Sequence, residues 1–116
     1  MKKFLAIYIG TTEALAQWQK LDEQERKKQM QEGMAVWMKW HKDNAASILD
    51  AGNPLGFTKS ISNSGIADTK NQMTGYVLVQ AETQQAAAQL FVNHPHFTIF
   101  PGASVEIMEC LPMPGM

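Results

Sequence analysis

Residues Phe4 to Ile9 are apolar on both parities. Phe4, Ala6 and Tyr8 point to one side of an extended segment, and Leu5, Ile7 and Ile9 point to the other. Such a strand has to be covered on both faces, which places it inside a sheet rather than on a half-wet ribbon. Tyr76-Val77-Leu78-Val79 repeats the pattern. A chain with two such strands needs helices on one sheet face and a second covering layer on the other.

Between and after these strands the helix signals are local and specific. Thr11 or Thr12 can cap a short helical turn carrying Leu15 and Trp18, and Asp22 with Glu25 has the capping-box spacing that opens a longer helix. Met30, Met34, Trp37, Met38, His41, Ala45, Ile48 and Leu49 fall on one stripe of that helix. Asp50-Ala51-Gly52-Asn53-Pro54-Leu55-Gly56 ends it, since glycine permits a left-handed terminal residue and proline blocks continuation. Phe57 to Ser62 reads as a strand, expected to form a hairpin with Tyr76–Val79 across the Asn63-Ser64-Gly65 turn and a polar stretch. Thr83 caps a second helix through Ala86, Ala87, Leu90 and Phe91, which stops before Pro95. Phe97 to Phe100 is read as extended, and Ser104 to Leu111 as the last strand after a Pro101-Gly102 turn.

The order strand, helix, two strands, helix, strand matches a ferredoxin-like βαββαβ antiparallel sheet with both helices on one face, an α+β fold. The 116 residues amount to about one domain, assigned to 1–111, with 112–116 as a loose tail. The uncovered sheet face calls for a partner, and a homodimer packed sheet to sheet is the simplest one.

Ten Lys or Arg against eleven Asp or Glu leave a net charge of −1, so no global field draws the chain to nucleic acid. Met1-Lys2-Lys3 and Ala14-Leu15-Ala16 imitate a secretory leader and its cleavage site, but the apolar run is shorter than the usual ~7–15 residues, and Thr11, Thr12 and Glu13 interrupt it. No run approaches the ~20 apolar residues of a membrane span, and a cytoplasmic location is expected. Cys110 is the single cysteine, so no internal disulfide forms, and strand alternation suits it to a buried position.

The whole pattern resembles the YCII-related proteins, the group that includes the DGPF-domain proteins. The residues that carry the resemblance are the opening Phe4-Leu5-Ala6-Ile7-Tyr8, the Asp50-to-Gly56 segment, Ala67-Asp68-Thr69-Lys70 leading to Gly75-Tyr76, and the closing Pro101-Gly102-Ala103-Ser104-Val105-Glu106-Ile107. The resemblance implies a ferredoxin-like fold that dimerises into an α+β barrel, with any activity resting on a His-Asp pair in a pocket beside the barrel. The family's Asp-Pro after the second helix reads His94-Pro95 here, and its Asp-Gly-Pro-Phe reads Ser64-Gly65-Ile66-Ala67.

Histidine is the side chain whose ordinary pKa suits proton transfer near neutrality, and there are three. His41 lies on the long-helix stripe, where a cavity-lining role competes with general acid-base work. His94 and His96 flank Pro95, where helix capping competes with a functional pair. If His96 began an extended segment, the two would share a face and could hold a metal with His41 as third ligand, but the spacing alone is a weak metal signature. Asp68 could orient a histidine or bind a hydroxyl, against a plain turn role. Trp37, Trp40 and Trp18 could line an aromatic pocket, or simply pack. The chain has no Gly-rich phosphate cradle, Gly-x-Ser-x-Gly elbow or Cys-x-x-Cys. The sequence is read as a homodimeric small-molecule-binding protein without cofactor, with His41, His96 and Asp68 as acid-base candidates and Trp37, Tyr76 and His94 shaping the ligand site. The alternative is a noncatalytic interaction or regulatory module.

Overall fold

The computed structural model describes residues 1–115. Four strands, β1 (Lys2–Ile9), β2 (Ile48–Asp50), β5 (Met73–Ala81) and β6 (Ser104–Glu109), make an antiparallel sheet in the order β2-β5-β1-β6. Two further strands, β3 (Thr58–Ser62) and β4 (Gly65–Thr69), pair with each other in a separate two-stranded sheet. The helices are α1 (Thr12–Gln19), α2 (Glu23–Asp43), α3 (Gln84–Gln89) and α4 (Pro95–Thr98). This is a mixed α+β architecture consistent with a ferredoxin-like fold.

The caps fall where the sequence put them. Thr11, Asp22 and Thr83 each accept a hydrogen bond from a backbone N–H three residues on, at Ala14, Glu25 and Ala86. Each satisfies a donor that the first helical turn leaves without an intrahelical partner.

The two faces of the sheet differ. Phe4, Ala6 and Tyr8 of β1 and Val77, Val79 and Ala81 of β5 form a buried layer with Ala87 and Phe91, against which Trp37, Trp40, Ile48, Val105 and Ile107 pack. On the opposite parity Leu5 faces Leu78 and Met108 across the ladder, and Ile7 faces Tyr76. On this side Ile7 is buried, Leu5, Tyr76 and Leu78 are half-buried and Met108 is exposed, and the molecule is a slab of 54 × 43 × 18 Å. Two layers about 10 Å apart account for the thin dimension.

Several expectations change. Phe57–Ser62 does not pair with Tyr76–Val79; residues 58–62 turn back on 65–69, and Ile48–Asp50 takes the sheet position beside β5. Helix α2 stops at Asp43 because the Asn44 side chain bonds back to the Trp40 carbonyl, so Ile48 and Leu49 leave the helical stripe for a strand. Gly52 does adopt a left-handed φ of 70°, but it closes β2 instead of the helix. A side chain there would collide with the Tyr76 carbonyl, 1.7 Å from an ideal Cβ.

The buried line of α2 is also rotated. It runs through Gly33, Trp37 and Trp40, whereas Met30, Met34 and Met38 are exposed. Gly33 is the reason: an added Cβ would sit 2.6 Å from the Phe100 ring, so the helix backbone itself is the contact surface there. Residues 95–98 form α4 rather than an extended run, since Pro95 presets the first helical φ and His94 caps the turn. Cys110 is exposed, because β6 ends at Glu109 and only its backbone N–H remains tied, to the Lys3 carbonyl. Of the expected tail, residues 112–115 are exposed without helix or strand, and Met116 lies outside the described residues.

Candidate functional site

Tyr8 ends the buried run of β1, and its phenol is the one polar tip among the buried side chains of that strand. Above it the chain leaves α3 through Asn93, a left-handed residue with φ 60°, and enters α4 through His94. These two turns drive an imidazole into the core. His94 is 1% exposed and His96 6% exposed, the two buried polar residues of the core layer.

Hydrogen bonding fixes the tautomers. The Nδ1 of His94 accepts the backbone N–H of His96 at 3.0 Å, so the proton of a neutral His94 is on Nε2, directed at the Tyr8 hydroxyl 3.4 Å away. The Nε2 of His96 lies 2.8 Å from the Ile9 carbonyl, an acceptor only, so this nitrogen donates. His41 is only partly buried, and its Nε2 accepts the Trp37 indole N–H at 3.2 Å. Trp40 donates to the Leu90 carbonyl at 2.7 Å, tying α2 to the end of α3.

Aromatic rings close the surroundings. The His94 ring meets Trp37 edge-on at 4.5 Å and Trp40 at 4.6 Å, with Tyr8 at 5.2 Å and Phe91 at 5.7 Å. Tyr8 in turn lies 5.0 Å from Trp37 and 5.1 Å from His96. Removal from water at this position disfavours charge. Burial pushes the His94 pKa down to about 3, and the nearby His96 and His41 push the same way. Burial also lowers His96, against hydrogen bonds to the backbone of Ile9 and Ser104 that raise it, and it lowers His41. The Tyr8 phenol is raised by burial, so it keeps its proton. Among the described residues no buried side-chain nitrogen or oxygen lacks a partner.

Of the residues singled out in the sequence, His41, His94, His96 and Trp37 come together here. Tyr76 is on the other parity of β5, opposite Ile7, and so on the sheet face away from the histidines. Asp68 is in the β3-β4 hairpin, where it pairs with Lys59 at 2.7 Å instead of with a histidine. The extended His94–His96 arrangement that would suit a metal pair is replaced by a capped helical turn. Among the described residues no three His, Cys, Asp or Glu side chains group as a metal site. Tyr8 was missed as a site residue. Its signal was a phenol on an otherwise apolar strand face, since a buried tyrosine hydroxyl requires a polar partner.

Two shallow grooves of about 300 Å³ flank the cluster. One is lined by Phe91, Val92, Phe97 and Val105, and the other by Trp18, Leu21, Phe100 and Gly102. The second approaches His96 from outside: an ideal Cβ on Gly102 would be 2.3 Å from the imidazole Cε1 and Nε2.

No family model matches the chain, and no curated protein is significantly similar to it. Among solved structures it is similar to 5-chloro-2-hydroxyhydroquinone dehydrochlorinase (TftG) from Burkholderia phenoliruptrix AC1100, in complex with 2,5-dihydroxybenzoquinone. That match has a TM-score of 0.53 at 14% identity and covers 91% of this chain and 90% of the other. The likeness is one of fold. It agrees with the mixed α+β fold and antiparallel sheet described above, and no helix among the described residues is long and apolar enough to cross a membrane.

Proposed function

We propose that this chain is a homodimeric protein of the YCII-related group, packed sheet to sheet as an α+β barrel. Each protomer binds a small, partly apolar, ring-shaped molecule between α2 and the sheet. The observation that carries the binding site is the buried, uncharged His94–His96 pair, set against Tyr8 and walled by Trp37 and Trp40. An apolar, aromatic enclosure with a few fixed polar groups is the common composition of small-molecule sites. The dimer reading is supported by the half-buried Leu5, Tyr76 and Leu78 and the exposed Met108 on the face of β1, β5 and β6 away from the histidines.

His41, the least buried of the three, is the proton carrier nearest solvent, and His96 is the inner one. The Tyr8 hydroxyl is a donor to a ligand oxygen, and Trp37 sets the His41 ring through its indole N–H. Neutral imidazoles in such a site act as bases rather than as cations. The dihydroxybenzoquinone found with the structural neighbour is a suitable first probe.

The test is a titration followed by NMR, observing the Trp37 indole N–H and the histidine ring signals of the intact protein. Binding should move these signals selectively, and His41→Gln and His96→Gln should each weaken it about tenfold or more. Signals that stay fixed at millimolar probe, or variants that bind as wild type does, would sink the assignment. A noncatalytic module is the second reading, favoured by one observation: His94 already serves as the N-cap of α4. It is retained if the probe and related hydroxylated rings leave the cluster untouched.

A further inference from the structure

The β3-β4 hairpin is built as an arm. Its two strands are bonded to each other and to no strand of the main sheet. The register sets Lys59 opposite Asp68 and Ile61 opposite Ile66. Alternation puts these two pairs, with Phe57 just before β3, on one side, and Thr58, Ser60, Ala67 and Thr69 on the other. The arm therefore has an apolar side and a polar side, yet the apolar side meets no core. Phe57 is fully exposed, Ile61 is 73% exposed and Ile66 71% exposed.

A lone two-stranded hairpin is marginal in water, and a stable one needs a third strand or a packing surface. The exposed Lys59–Asp68 pair contributes little by itself. Area identifies where the packing surface comes from. The chain exposes 8427 Å², against about 6,300 Å² for a compact monomer of this mass. Its radius of gyration is 16.2 Å, where about 13.4 Å is usual for its length. The surplus, on the order of 2,000 Å² per chain, exceeds the ~800 Å² that each partner gives to a standard interface and suits a permanent assembly. The arm also runs directly into β5, whose half-buried Tyr76 and Leu78 lie on the sheet face opposite the core layer. With one lysine and one aspartate already paired, the arm has no charge pattern for a nucleic acid or an anionic membrane.

We propose that the apolar side of this arm, Phe57, Ile61 and Ile66, is a contact surface for a second copy of this chain, so that each protomer clasps the other. The proposal rests on the dimer reading above and adds a separate contact to the sheet-to-sheet face. A two-fold assembly uses each such contact twice.

Sedimentation equilibrium on the full chain, wild type and Ile61→Ser/Ile66→Ser, tests it, with hydrogen exchange of the arm amides followed on dilution. The expected result is a wild-type dimer whose arm amides lose protection as it dissociates. The double variant, with unchanged circular dichroism, should dissociate at tenfold or higher protein concentration. A wild-type dimer with an unchanged constant in the variant would overturn the arm contact and leave the sheet-to-sheet dimer standing. A wild-type monomer at high concentration overturns both. If the variant fails to fold, exchange on the wild type decides: arm amides as unprotected in the dimer as in a free peptide refute the clasp.

Discussion

The Nδ1 of His94 accepts the backbone N–H of His96 at 3.0 Å, so one imidazole of the pair caps the turn that positions the other. The bond requires an unprotonated Nδ1, and burial of His94 favours a neutral ring. Folding and proton uptake are therefore opposed at this point.

That opposition gives the stability a pH dependence. All three histidines have pKa values lowered by folding, His94 to about 3. Near and below pH ~6.5 the unfolded chain binds more protons than the folded one, so stability is complete above that value and is lost as pH falls. His94 alone, whose folded value is far below 6.5, should bring the slope to about 1.4 kcal/mol per pH unit, with His96 and His41 adding to it in the same direction. Urea midpoints from about pH 7.5 down to pH 5, above most carboxylate titration, should fall steadily. A flat profile over that range would show that the imidazoles are already solvated.

Replacing His94 separates its cap from its packing. His94→Ala removes both the acceptor for the His96 N–H and a ring packed on Trp37 and Trp40. Together these should cost roughly 3 kcal/mol or more. His94→Asn keeps an N-cap acceptor and should recover about 1 kcal/mol of that loss. Equal unfolding midpoints for the two variants would mean that the cap contributes nothing.

Much of this arrangement was legible in the chain and part of it was not, for physical reasons. The two-faced strands and the caps at Thr11, Asp22 and Thr83 are local signals, and they hold in the structure. The face of α2 is not local. Periodicity favoured the methionines because they are apolar, but a tryptophan buries more area, and the notch at Gly33 that seats Phe100 involves residues far apart in the chain. Strand pairing failed similarly, since a polar stretch containing Ile66 reads as loop until the turn at Ser62–Gly65 folds it back. The histidines were recognised by residue type, but their convergence depends on Asn93 and Pro95 turning the chain, and the Tyr8 contact spans most of its length.

Gly102 tests how tightly His96 is seated. Gly102→Ala would press a methyl group against the imidazole and also against the His96 carbonyl, 2.3 Å from an ideal Cβ. The loop must shift, and the His96–Ile9 hydrogen bond should weaken. A destabilisation of about 1–3 kcal/mol is expected, with a changed His96 ring signal in NMR. Gly56→Ala is the control, since nothing lies within 4 Å of its Cβ direction. A Gly102 variant as stable as the control, with the His96 signal in place, would contradict this packing.

Gly33 gives a prediction whose sign opposes helix propensity. Inside an exposed helix, glycine to alanine stabilises by about 1 kcal/mol, because alanine loses less backbone entropy. Here the added methyl group would lie 2.6 Å from the Phe100 ring and 3.0 Å from Ile99 Cγ2. Phe100 also packs on Trp37 at 5.7 Å and on Trp18 at 6.1 Å, so its displacement would loosen both walls. Gly33→Ala should therefore destabilise by about 1–3 kcal/mol, and Gly33→Ala/Phe100→Leu, with a smaller partner, should recover part of the loss. Thermal unfolding of the two variants, with tryptophan fluorescence as a second probe, checks both statements. If Gly33→Ala alone raises the unfolding temperature, α2 does not pack on Phe100 through its backbone, and the rotated stripe through Trp37 and Trp40 loses its physical cause.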